Sequence, residues 1–162
     1  MKISMENLNE LLKKILNFNI DFVIVGGFAG VVHGATQVTQ DLDICLLIDE
    51  QKINGLRECL KDLNPKHRML PQKPSFLDTP ETASNIKNIY LETDLGVIDI
   101  TSEVPNIGDF KRIKDNSITV RLFDDNCQVI SLDDLIEVKK NLNRAKDIAL
   151  YHELLDIKNK LN

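Results

Sequence analysis

The segment Asp21-Phe-Val-Ile-Val25 stops at Gly26-Gly27, and no other feature restricts the fold of this chain as strongly. A short apolar run rich in β-branched residues and bounded by glycines is a buried strand. Glycine has no Cβ, so the pair permits a sharp turn and a close approach of the backbone to an anion. Phe28 to His33 then has the character of a short helix, closed by Gly34, the residue type that suits a helix C-terminus. A strand that turns through glycines into a helix leaves N–H groups pointing outward, where an anion can sit. Taken alone, a strand-ending glycine pair is usually a plain turn, so its meaning depends on the residues downstream.

Beyond the polar connection Ala35 to Gln40 lies a second strand, Asp41-Leu-Asp-Ile-Cys-Leu-Leu-Ile48. Side chains alternate along a strand, so Asp41 and Asp43 share one face and Leu42 and Ile44 the other. Two carboxylates on neighbouring same-face positions repel unless something positive lies between them. An oxygen-seeking divalent cation, Mg²⁺ or Mn²⁺, is the natural partner. A third acid, Asp99, lies in the apolar strand Val97-Ile98-Asp99-Ile100, where burial without a partner is costly. It is either a satisfied structural aspartate or a third carboxylate at the same cation. Three carboxylates around one or two cations fit phosphoryl and nucleotidyl transfer.

The remaining periodicity completes an α/β (α+β) pattern, a mixed β-sheet flanked by helices with a C-terminal helical tail. Met5 to Leu16 carries a helical apolar stripe, and Glu50 to Leu63 is an amphipathic helix. Asn64 to Thr82 holds four of the five prolines and no clear period, so it is expected to be a long mobile loop. Ile86 to Glu92, Gly96 to Thr101, Ser117 to Phe123 and Cys127 to Ile130 are expected strands. Ser131 is a good helix N-cap with Asp133 and Asp134 in the first turn. Leu132 to Leu161 is then helical with a break near Asn141 to Asn143. At 162 residues one domain is expected, with a core over 20–130 and the tail over 131–162.

Composition narrows the function classes. A net charge of −5 argues against a broad basic face for nucleic acid. Two stretches lean positive, Lys61 to Lys73 and Lys111 to Arg121; they are either a local basic patch or, on the plainer reading that is preferred, solvated loops. Cys45, Cys59 and Cys127 have no CxxC spacing and are expected to be reduced structural thiols. His33 is expected to cap or pack, and His67 and His152 have no partner at ligand spacing. The apolar runs are of strand length, and Met1 to Asn9 is polar, without a signal-peptide core. A cytoplasmic protein without membrane contact is expected.

The order Gly26-Gly27, thirteen residues, Asp41-Leu42-Asp43-Ile44, then an apolar-flanked Asp99 resembles the signature of the nucleotidyltransferase (polymerase beta-like) superfamily. Phe22 to Gly34 followed by Thr39 to Ile44 is most similar to minimal nucleotidyltransferases related to AbiEii/AbiGii-type toxins. The tail Asp134-Leu-Ile-Glu-Val-Lys139, then Arg144-Ala-Lys146-Asp147, is similar to the ending of that group. The resemblance spans Phe22 to Ile157 but not Asn54 to Asn85. It implies a nucleotidyltransferase fold and gives roles to matching residues. Gly26 and Gly27 would bind the nucleoside triphosphate, and Asp41 and Asp43 the metals. Asp99 would complete the metal site and take the acceptor proton. Thr39, with its hydroxyl just before the first aspartate, would touch a phosphate or the metal shell. Lys139, Arg144 and Lys146 are candidates for phosphate or acceptor contacts, against the plainer reading that they are solvated or paired with Asp147 or Glu137.

The implied activity is transfer of NMP from NTP to a hydroxyl on RNA, a protein or a small molecule. The toxin-like resemblance adds an RNA or protein acceptor and an antitoxin partner. Toxin-type members usually carry a large extra helical domain, which two tail helices do not supply. Acceptor recognition would therefore come from Asn64 to Thr82, from a homodimer or from another chain. The competing class is a catalytically silent nucleotide-binding or interaction module, disfavoured because both glycines and all three carboxylates are present.

Overall fold

The computed structural model describes residues 5–78 and 86–161. Helix α1 (Met5–Leu16) buries Leu8, Leu11, Leu12 and Ile15 from one stripe. Strand β1 (Val23–Val25) is buried throughout and runs directly into α2 (Gly26–Val32). The glycines thus open the helix rather than separating it from the strand. Strand β2 (Asp41–Cys45) precedes α3 (Glu50–Leu60), whose N-cap Asp49 accepts a 2.8 Å hydrogen bond from the Lys52 amide. A 3-10 turn at Lys61–Leu63 ends this helix.

Three strands follow, β3 (Lys66–His67), β4 (Asn88–Thr93) and β5 (Gly96–Thr101). A small ribbon, β6 (Glu103–Val104) with β7 (Gly108–Asp109), leads into α4 (Phe110–Asp115). Strands β8 (Ile118–Leu122) and β9 (Asp125–Val129) form a hairpin. Its two turn residues, Phe123 and Asp124, both have positive φ, 52° and 65°, the geometry that joins twisted antiparallel strands in two residues. The chain closes with α5 (Leu132–Lys140) and α6 (Ala145–Leu161).

Seven strands form one mixed sheet in the order β3-β4-β5-β2-β1-β9-β8. Strand β2 runs parallel to β5 and antiparallel to β1, and β1 is parallel to β9. The register positions the site: Val25 lies opposite Asp43, and Asp43 lies opposite Asp99. On β2 and β5 the residues alternate as the sequence predicts. Leu42, Ile44, Ile98 and Ile100 are fully buried, whereas Asp41, Asp43 and Asp99 are half-buried on the other face.

Helices α1 and α3 pack on each other, and α1 also packs on β2 and β5. The tail is part of the structure's interior. Helix α5 packs on α2 and α6, and Gly30 of α2 brings its backbone close to Leu150 of α6. Among the described residues no helix is long and apolar enough to cross a membrane.

The structure corrects the expected loop over Asn64 to Thr82. Its last residues, 79–82, lie outside the described residues, as do 1–4 of the polar N-terminus and residue 162 of the tail. Within it, β3 adds to the sheet edge beside β4. The His67 amide donates to Pro74 O and the Phe76 amide to Pro65 O, each at 2.9 Å. The cause is Phe76, which is fully buried, stands edge-on to His67 and lies beneath the Arg57 guanidinium. One buried aromatic fixes a segment whose prolines hide any period. The sequence pattern does not announce β6, β7 or α4, and β9 begins two residues before the strand expected at Cys127. The three cysteines are buried free thiols.

Truncating Phe76 to alanine removes this anchor. Phe76→Ala is expected to cost about 3–5 kcal/mol in urea denaturation and to speed amide exchange at Arg68. Leu77→Ala, one residue on and more exposed, is the control and should be near neutral.

Candidate functional site

A cavity of about 400 Å³ opens where β2, β5, α2 and the last two helices meet. Gly27, Thr39, Asp41, Asp43, Asp99, Lys139 and Arg144 all line it, together with Arg68, Lys146 and Asp147. The remaining expected residue, Gly26, lies across Asp43 in an adjoining cavity.

The two glycines do different things. Gly26 has φ +72°, and a Cβ there would run into the Asp43 carboxylate. Its hydrogen is therefore required both by backbone geometry and by the neighbouring acid. Gly27 is less constrained, because its added Cβ would sit 3.1 Å from the Thr39 hydroxyl. That hydroxyl donates to the Asp41 carbonyl at 3.1 Å, which holds Thr39 against the start of α2. Among the described residues no side chain caps α2, so its first N–H groups remain available at the rim of the cavity.

Burial, reinforced by neighbouring carboxylates, governs the floor of the site. The Asp43 carboxyl is pushed up to about 7, by burial first and then by the charges of Asp99 and Asp41. Lys139 and Lys146 pull against this. Asp99 is also pushed up by burial, but Arg68 opposes the rise directly. The Arg68 Nη2 donates to both Asp99 oxygens, at 2.7 and 2.6 Å, and Nε adds a third bond of 3.2 Å. The same guanidinium lies 5.4 Å from the centre of the Tyr90 ring.

Arg68 is the residue that sequence reasoning missed. It belongs to the basic stretch expected to be solvated loop, and it reaches the site because β3 pairs at the sheet edge. In the other stretch Lys111, Arg112 and Lys114 are spent on ion pairs, including a two-pronged bond from Arg112 to Asp134 at 2.8 and 3.1 Å.

The wall opposite is built by the tail. Asp147 is 1 % exposed and receives Lys139 Nζ at 3.1 Å and Arg144 Nε at 2.7 Å. Burial raises its carboxyl, and the bonds from Arg144 and Lys139 more than offset this, so it stays below the ordinary value. Both cations thus pair as the plainer reading expects, and both still line the cavity. A buried aspartate fixes where they stand.

Among the described residues no three Asp, Glu, His or Cys side chains group closely enough to hold a metal ion. Asp99 is turned to Arg68, which leaves the pair Asp41 and Asp43. That pair fits a hard divalent cation. It is an all-oxygen donor set under mutual repulsion, open to a cavity with room for phosphate oxygens to complete the coordination.

No family model matches the sequence, and no curated protein matches it. Solved structures do. The lincosamide antibiotic adenylyltransferase LnuA, solved with lincomycin bound, is similar over 97% of this chain and 99% of its own, with TM-score 0.65 and 15% identity. The chain has the nucleotidyltransferase fold. ANT(2'')-Ia in complex with adenylyl-2''-tobramycin shares this fold over 96% of this chain and 90% of its own, with TM-score 0.58 and 14% identity. A protein of Thermotoga maritima described as a nucleotidyltransferase matches over 95% and 96%, with TM-score 0.58 and 15% identity. At these identities the likeness is one of nucleotidyltransferase fold.

Two expectations concern the floor of the site. Gly26→Ala combines a left-handed φ with a clash and should destabilise by about 2 kcal/mol or more, whereas Gly27→Ala should cost less than about 1 kcal/mol, both read by urea denaturation. For Asp43, the folded-state pKa near 7 exceeds its unfolded value of 3.8. The folded chain therefore binds the extra proton, and stability from this group is lost as pH rises from about 4 through about 7. Asp43→Asn should be more stable than the metal-free wild type at pH 8, on the order of 3 kcal/mol. The difference should shrink towards pH 5 in thermal melts.

Proposed function

We propose that this protein transfers NMP from an NTP to a hydroxyl acceptor in a divalent-metal-dependent reaction. One observation carries the reading: the carboxylates of Asp41, Asp43 and Asp99 and the cations Lys139, Arg144 and Lys146 line one cavity at the opening of α2. The fold supports it, as do two neighbours, one named an adenylyltransferase and the other holding an adenylylated antibiotic.

Asp41 and Asp43 would hold Mg²⁺ or Mn²⁺, which when bound neutralises the triphosphate and orients the acceptor oxygen. Lys139 and Arg144, steadied by Asp147, present fixed positive charge to the phosphates, and Lys146 adds to it. The N-terminus of α2 and the bare backbone of Gly26-Gly27 admit phosphate oxygens close to the chain. Asp99 takes the proton of the acceptor hydroxyl, and burial makes its carboxylate a better base than an exposed one. The acceptor oxygen bonds to the α-phosphorus, the bond to the bridging oxygen breaks, and pyrophosphate leaves. Arg68 holds Asp99 oriented until the acceptor arrives.

The AbiEii/AbiGii-like motif also supports RNA or protein as acceptor, with an antitoxin partner. A cytoplasmic setting is in keeping with an NTP substrate and free thiols.

The test is incubation with each labelled NTP, Mg²⁺ and cell extract. Label is expected in RNA, protein or small molecules. Asp41→Asn and Asp43→Asn should each lower transfer by about a hundredfold or more. Failure of the wild type to bind any NTP with Mg²⁺ would falsify the reading.

A further inference from the structure

Resting on the transferase reading, we infer that the adjoining cavity is the acceptor subsite, built for a small hydroxyl compound with an apolar body and a neutral or cationic charge. This cavity measures about 340 Å³ and shares Asp43 and Asp99 with the phosphate side. That volume falls in the range of small-ligand sites.

The two cavities meet at the same carboxylates but have opposite character. The phosphate side gathers Arg68, Lys139, Arg144 and Lys146. The adjoining side has walls of Val104, Pro105, Leu135 and Val138, and its charged lining residues are Asp43, Asp99 and Glu103. Among the described lining residues it has no lysine or arginine. Lys87 approaches Glu103 at 3.9 Å, but both side chains are largely exposed, so the pair is weak.

Position follows from sharing. A hydroxyl placed at Asp99 stands at the boundary with the triphosphate, while the rest of the molecule lies against the apolar wall. Charge then selects the class. A polyanion needs free Lys or Arg at its phosphates, and here it would meet Asp43, Glu103 and an Asp99 whose only cation, Arg68, is already bonded to it among the described residues. The overall charge of −5 points the same way. An ammonium group, by contrast, is attracted by Glu103 and the shared acids. The Tyr90 ring, stacked under Arg68, adds a flat apolar surface at the junction.

The test uses saturation-transfer NMR with three probes, benzyl alcohol, N-benzylethanolamine and phenylacetate, in the presence of Mg²⁺ and ATP. The alcohol and the amine should receive saturation, and phenylacetate should not. Interligand Overhauser effects should connect N-benzylethanolamine to ATP, which places the two side by side. Val138→Phe, which fills the cavity, should abolish both signals. Glu103→Lys changes an exposed residue and keeps the test valid if Val138→Phe fails to fold. It should weaken the amine about tenfold and leave the alcohol unchanged.

Binding of phenylacetate as strong as that of the alcohol overturns the inference. So does persistence of the signals in folded Val138→Phe, absence of Overhauser contact with both ligands bound, or label from ATP on an RNA oligonucleotide. Calorimetry of ATP with Mg²⁺ on the same samples separates the two readings. Nucleotide binding without probe binding removes only the acceptor subsite, whereas no nucleotide binding removes the transferase.

Discussion

Gly26 and Asp43 occupy one another's space, and the architecture around them follows from that fit. Strand β1 ends opposite Asp43 in an antiparallel register, and the chain must then leave the sheet at once. It does so with φ +72° at a residue whose missing side chain is filled by the Asp43 carboxylate. A β-carbon at this position would push the acid out or shift β1 against β2. Because β2 also sets the register of β5, the same fit determines where Asp99 stands. The turn out of β1 and the placement of the acids thus share one close contact.

The second organising element is a division of charge. Asp147 gathers Lys139 and Arg144 from the tail and sets them across the cavity from Asp41 and Asp43. Arg68 does the converse from the sheet edge, arriving as a cation to hold an acid. Asp99 and Asp147 are therefore each matched by hydrogen-bonded cations, as burial demands. Asp41 and Asp43 have no such hydrogen-bonded cation among the described residues, and the charge of Asp41 is one of the causes that raise the Asp43 carboxyl.

Much of this was legible in the chain because it is carried by local pattern. Alternation along Asp41-Leu-Asp-Ile assigns the acids to one face from sequence alone, and the apolar neighbours of Asp99 do the same for β5. The cap at Ser131 is a local signal too. The features that escaped were non-local. Arg68 lies next to a strand of only two residues in a proline-rich segment, and its partner is thirty-one positions away. Its place depends on Phe76 finding the core, which no period announces. Asp147 was visible as an ion-pair partner, but its burial depends on α6 packing across α2 and α5. The ribbon β6–β7 and α4 are too short to produce a period at all.

The contribution of the tail has a consequence for biosynthesis. Lys139, Arg144, Lys146 and Asp147 are made only after every strand of the sheet has been synthesised. A chain synthesised only through β9 holds every strand of the sheet but lacks the cationic wall and its buried counter-ion. Until α6 docks, the acids of β2 and β5 face no cationic wall across the cavity. Completion of the cavity is thereby tied to the docking of α6, so a chain stopped before Asp147 would carry the three aspartates of the sheet without the buried counter-ion that places Lys139 and Arg144.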